Sequence, residues 1–369
     1  MPRSVKVTTS SDVFAAVPHL LQYVPEESFV LIIVGSDPAR PNRTEMAARV
    51  SLQQFDQDPS ALARLLTRPV MDRPVREVIG LVVCPALPGP GLPYRTYVLA
   101  LAHEIRQLGF RVDEVSHVPD FSEGALWRSY VDMERSGHLP DPFSTPIAAA
   151  TVAEGIVTAR SRDALVGAFS PAAETDRARL EPHIISALAQ SRADRDQSDA
   201  ARDRLARADT AIAAASYGVL PTGDTELADL IATFSIEPFR SAAFSVDSTD
   251  LLHGVETLTT HLWRFAPEPC ASHLAAVIAL HAYLLGAGAR ASIAVDAGTV
   301  PLPLLGLLRH ALATQVPHGG LRVAVSEGSA EARAHLITPK RPESPESVAR
   351  PVSSGDSDDT FDRLEPDAP

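Results

Sequence analysis

Trp127-Arg128-Ser129-Tyr130 is the most interesting polar-aromatic block in a chain with only 5% aromatic residues. On a strand, Trp127 and Ser129 face one side and Arg128 and Tyr130 the other. One face then presents a guanidinium beside a phenol, a pair suited to recognising a ligand or a protein partner. The alternative use is an edge strand on which Trp127 caps the core. A second candidate, Gly35-Ser36-Asp37, follows a wholly apolar strand, the place where open α/β sheets bind ligands. Ser36 and Asp37 also suit a strand-end turn for geometry alone, and both uses stay open. The third candidate is the loop from Pro85 to Pro93, between a second apolar strand and a helix. Free N–H groups at such a helix start attract anions, and Arg95 is the nearest cation. Four prolines in that loop remove donors the site needs, and neither GxGxxG nor GxxxxGK(S/T) occurs.

Other chemistry is sparser. GxSxG is absent, so no serine sits on a nucleophile elbow. Of 12 histidines, His117 is flanked by Asp113, Glu114 and Asp120, and strand alternation puts Asp113 and His117 on one side without a third metal ligand. His103-Glu104 reads as a solvated pair on a helix, and His253, His261 and His273 lack HExxH spacing. Cys84 and Cys270 form no CxxC or Cys/His pattern and are expected to be buried free thiols. No metal and no cofactor is expected.

These residues need elements to hold them. Ser10-Ser11-Asp12 offers a cap for a first helix, which tolerates Pro18 and stops at Pro25. Phe29 to Val34 and Glu77 to Cys84 lack polar alternation, so both predict strands covered on two faces. Met46 to Leu52 pairs antiparallel with the first of them. Tyr97, Leu101, Ile105 and Leu108 mark an amphipathic helix over 94–108. Arg111 to Val118 suits an outer strand, with 124–131 beside it. The fold class is α/β: an N-terminal mixed sheet flanked by helices over 1–170, then an α-helical domain over 171–335. The charged stretch from Arg192 to Arg204 reads as a bridge in one long helix or a solvated break between two. Helices are expected over 224–234, 248–265, 272–285 and 302–313. Residues 336–369 are rich in Pro, Ser and acid and are expected to be a disordered tail.

Composition narrows the partners. With Lys+Arg 33 and Asp+Glu 46 the net charge is −13. Such a chain repels phosphate backbones and anionic lipid, so neither nucleic acid nor membrane is expected as a partner. Its N-terminus lacks the apolar stretch of a signal peptide, and a cytoplasmic location is expected.

Several blocks in order resemble an actinobacterial family, the domain of unknown function 4192 family. They are Val17-Pro18-His19-Leu20-Leu21 with Pro25-Glu26-Glu27-Ser28, Leu126-Trp127-Arg128-Ser129-Tyr130, the block from Thr145 to Gly155, Ser161-Arg162-Asp163-Ala164-Leu165, and Ala282 to Ala291. The chain departs from the family in having no cysteine between Val131 and His138, and in carrying Tyr283 where tryptophan is expected. The resemblance implies an α/β half followed by a helical half and no activity. With no complete catalytic constellation, the function expected is a non-catalytic interaction or regulatory protein that docks a protein partner through its helical domain. The alternative is an enzyme or small-ligand binder at the carboxyl ends of the central strands. Whether it is an enzyme, and its oligomeric state, are not legible in the sequence.

Overall fold

The structure, a computed structural model, describes residues 9–35, 44–71, 75–89, 91–153, 155–244, 247–316 and 318–338. A six-stranded mixed sheet runs in the order β2-β1-β3-β4-β5-β6. Its strands are β1 (Ser28–Gly35), β2 (Thr44–Ser51), β3 (Val75–Val83), β4 (Val112–Val118), β5 (Leu126–Ser129) and β6 (Ser136–His138). β1 pairs antiparallel with both β2 and β3, β3 and β4 are parallel, and β5 and β6 continue antiparallel. All eight residues of β1 are buried, as its unbroken apolar run requires. Burying each such aliphatic side chain is worth about 1.5–3 kcal/mol.

Alternation along β1 divides the interior. Phe29, Leu31 and Ile33 face α2 (Pro59–Thr67) and α3 (Arg95–Gln107), against Leu62, Leu66, Leu101 and Ile105. Val30, Ile32 and Val34 face the other way, toward α1 (Ser10–Leu21) and the C-terminal helices. Thr9 caps α1 in a reciprocal capping box with Asp12, one residue earlier than Ser10.

One expectation is corrected. β4 is not an outer strand, because β5 and β6 lie beyond it. Its charges misled: Glu114 is buried, with Arg135 at 2.8 Å and Ser116 donating to it, so it needs no solvent. The stretch from Arg192 to Arg204 takes the second of its two expected forms, a break between two helices that is exposed at 195–197. Two helices form there, α6 (Glu174–Asp194) and α7 (Ser198–Ala215), and Asp194 and Arg204 are buried against each other.

The chain before them includes α4 (Pro146–Ala153) and α5 (Arg162–Gly167). Beyond them lie α8 (Asp224–Ser235), α9 (Phe239–Ala242), α10 (Thr249–Trp263), α11 (Cys270–Leu284), α12 (Gly288–Ala297), α13 (Pro303–Thr314) and α14 (His318–Ile337). α11 is buried on every side except at His273, as a helix without a polar stripe must be. Its Leu274 and Val277 pack with α6, α7, α8 and α10, and its Ala276, Ala279 and Leu280 join the sheet-face core. The sheet and the helical half thus share one core, and the described residues fall in one compact unit. The acidic segment from Pro339 lies outside the described residues.

His281 on α11 is fully buried, with Nδ1 donating to the Val277 carbonyl at 2.9 Å. Burial holds its pKa down at about 4. An unfolded histidine titrates near 6.5, so unfolding takes up a proton between those values. Stability is therefore expected to fall as pH drops from about 6.5 to 4, by up to about 3 kcal/mol from this group. His117 and His273 are displaced in the same direction. Urea titrations across that window should show a shallower pH slope for His281→Leu. An unchanged slope rules out the assignment.

Candidate functional site

The residues singled out from sequence are placed as follows. Trp127 lies in the sheet-face core, its indole N–H donating to Ser11 Oγ at 2.8 Å and its ring edge-on to Phe14. Tyr130 lies in the opposite core, as alternation requires, but its hydroxyl is buried and donates to the Pro93 carbonyl at 2.7 Å. That burial pushes the phenol well above its usual pKa. Arg128 Nη2 donates to the Gly91 carbonyl at 3.3 Å, and His117 Nε2 donates to the Cys84 carbonyl at 2.8 Å. The structure thus brings Arg128, Tyr130 and His117 together on the segment leaving β3, where they fasten it down. Arg95 stands exposed in the first turn of α3. Ser36 and Asp37 lie outside the described residues. Cys84 and Cys270 are free and buried, and burial pushes the Cys84 thiol up to about 11.

A denser constellation lies in the helical half, built by a repeat. Glu237-Pro238-Phe239-Arg240-Ser241 and Glu268-Pro269-Cys270-Ala271-Ser272 share the pattern Glu-Pro-x-x-Ser, and both Glu-Pro bonds are cis. Each glutamate accepts a 2.8 Å hydrogen bond from the serine hydroxyl four residues on, and a longer one from that serine's N–H. The two copies meet where Arg240 Nη1 donates to His273 Nδ1 at 2.6 Å. Burial, and then the Arg240 charge, holds His273 below the usual histidine range. With Nδ1 accepting, the ring proton of neutral His273 sits on Nε2. Thr299 closes the second copy, its Oγ1 donating to Glu268 and its N–H to Ser272 Oγ. These bonds make the pair a clamp on the starts of α9 and α11. The repetition was visible in the sequence; the meeting of the two copies was not.

Ser241 of that clamp also lines a groove of about 230 Å³. Its walls come from the segment after α9 and from α11, α13 and α14, including Phe244, Leu280, Leu304, Leu307, Leu321 and Val325. Leu307 is 67% exposed. No titratable side chain lines the groove, so it offers apolar surface and two hydroxyls rather than acid–base chemistry.

Together these features define an α/β protein whose mixed sheet and helical half share a core, with an open apolar groove on the helical side. The chain belongs to the family described as Domain of unknown function (DUF4192), which matches residues 11–318. Comparison with curated proteins and with solved structures returned no match. Among the described residues, no helix is long and apolar enough to cross a membrane.

Proposed function

We propose that this chain is a non-catalytic interaction protein of the cytoplasm that seats an amphipathic helix of a protein partner in the groove between α11, α13 and α14. The observation that carries this reading is the apolar stripe of α13, which Leu307 carries out to solvent. Leu304, Leu307, Leu308 and Ala311 line the groove at spacings of one helix face, opposite Leu321, Val325 and Gly328 of α14. A slot between two helices accepts the ridge of a third, and a partner helix fills it with apolar residues at i, i+3 or i+4, and i+7. The free thiols and the −13 charge support a cytoplasmic protein that avoids nucleic acid. The strand-end ligand reading has less support, because His117, Arg128 and Tyr130 already donate to the segment leaving β3.

The test is capture from native lysate by the whole chain carrying a photo-crosslinker at position 307, with sequencing of the crosslinked peptide. One partner segment with that apolar spacing is expected. Leu307→Asp, at a solvent-facing position, is expected to weaken its binding by about thirtyfold. A crosslinked segment lacking the spacing, or binding indifferent to Leu307→Asp, overturns the proposal.

A further inference from the structure

An apolar groove sets how tightly a partner helix is held, and the charges around it set which helix is admitted. The chain as a whole carries −13, yet no Asp or Glu occurs between Asp296 and Glu327, its longest acid-free stretch. That stretch contains all of α13 and the first half of α14, and so supplies Leu304, Leu307, Leu308, Leu321 and Val325 of the groove. Its basic residues are Arg309, His310, His318 and Arg322.

Local structure gathers most of these toward one end. His318 opens α14, and its Nδ1 donates to the Tyr283 carbonyl of α11 at 2.6 Å. The Tyr283 hydroxyl reaches the Val316 carbonyl at 2.6 Å, so the turn between α13 and α14 is held against α11. Arg322 is half-buried one turn before Val325, on the same face of α14. His310 is exposed one turn after Leu307. The nearby acids lie toward Ser329 instead. Glu237 accepts from Ser241 and Arg240, and Asp247 acts on the charge of Arg333. Glu327 and Glu331 are exposed on the second half of α14. Charge is therefore graded along the groove, basic at the α13–α14 turn and acidic at the other end.

We propose that the partner helix is acidic, with Asp or Glu beside its apolar stripe on the turns that meet the α13–α14 end. This rests on the reading of the groove as a helix seat and adds the chemistry of its occupant. A basic helix would set Lys or Arg against Arg322, where neither α13 nor the first half of α14 has a carboxylate to pair with it. An acidic helix meets Arg322 and Arg309 within the roughly 10 Å over which exposed charges act at moderate salt. The preference runs against the net charge, which by itself draws in cations and repels acid. The acid-free walls exempt this groove from that repulsion.

The test titrates the full chain with two synthetic amphipathic helices that share leucine at i, i+3 and i+7, one with glutamate and one with lysine on its polar face. The glutamate peptide is expected to bind about tenfold tighter, with one site per chain. That ratio should shrink at about 0.5 M salt. Arg322→Gln is expected to narrow it at least about threefold, while Leu307→Ser weakens both peptides. If Arg322→Gln moves the urea unfolding midpoint, the salt titration of the parent chain decides alone. Equal affinities, a preference for lysine, or a ratio indifferent to salt overturns this inference and leaves the groove a helix seat. Saturable binding of neither peptide overturns both.

Discussion

Replacing Arg204 by alanine is expected to destabilise the protein by about 3–5 kcal/mol, the range for removing one member of a buried ion pair. Arg204 is 1% exposed. Its Nε and Nη2 both donate to Asp194 Oδ2, at 2.9 and 2.8 Å. Its Nη1 reaches Asp229 Oδ1 at 2.6 Å and Thr233 Oγ1 at 3.1 Å, and the guanidinium lies over the Phe239 ring. One side chain on α7 therefore ties the end of α6 to α8 and α9. Alanine would leave the Asp194 carboxylate buried with only Gln190 donating to it. Lysine cannot reproduce the fork that spans these partners and should recover only part of the loss. The decisive variant is Asp194→Leu with Arg204→Met. Removing both charges together is expected to be far milder than Arg204→Ala alone, because the buried Asp194 carboxylate is gone and Asp229 keeps Arg207 at 2.9 Å. Urea midpoints at constant slope measure all three. A double variant as unstable as the single one would show that packing, not charge, dominates at this position.

Gly254→Ala carries the second large effect, about 2–3 kcal/mol of destabilisation. Gly254 lies inside α10, where alanine is ordinarily the better helix former by about 1 kcal/mol. Here an added methyl would press into the Ile212 carbonyl oxygen of α7 and come within 3.3 Å of its carbon. Backbone cannot swing aside as a flexible side chain does, so α7 and α10 must separate, disturbing the core shared by Val255, Leu258 and Ile212. Gly306→Ala in α13 makes the contrast. That site is exposed, with nothing within 4 Å of an added methyl, and the same substitution is expected to stabilise by about 0.5–1 kcal/mol. Opposite signs in thermal and urea unfolding verify the pair. A neutral Gly254→Ala would mean that the two helices are less tightly apposed than described.

Much of the architecture was legible because long apolar runs and helical periods leave few choices. Phe29–Val34 had to be covered on both faces, and Tyr97, Leu101 and Ile105 had to share one helix side. What escaped was written in weaker or longer-range terms. β6 is three residues of Ser, Gly and His with no periodicity. α9 is four residues long, and α14 carries Gly319, Gly320 and Gly328 against its own helical propensity. Glu114 reads as a solvent-facing charge until Arg135 is folded beside it. The site residues follow the same division. Strand alternation correctly sent Trp127 and Tyr130 to opposite faces, but the partners that consume their polar atoms, Ser11 and Pro93, lie 116 and 37 residues away. The groove was hidden for a related reason, since its walls come from helices brought together only by the buried α11.

That shared burial sets a timetable for synthesis. Ile32 of β1 packs in the same core as Leu308 of α13, and 308 − 32 = 276 residues separate them. A ribosome adding roughly 5–20 residues per second takes on the order of 15–55 s to cover that distance. Throughout the interval the nascent sheet presents Val30, Ile32 and Leu81 with α1 over them but without the full set of C-terminal helices that completes their cover, whereas its other face can close as soon as α3 and β4 have emerged. The newborn chain is thus a half-finished surface that chaperones can hold, and synonymous changes that slow translation between β4 and α11 would lengthen its exposure without altering a single side chain.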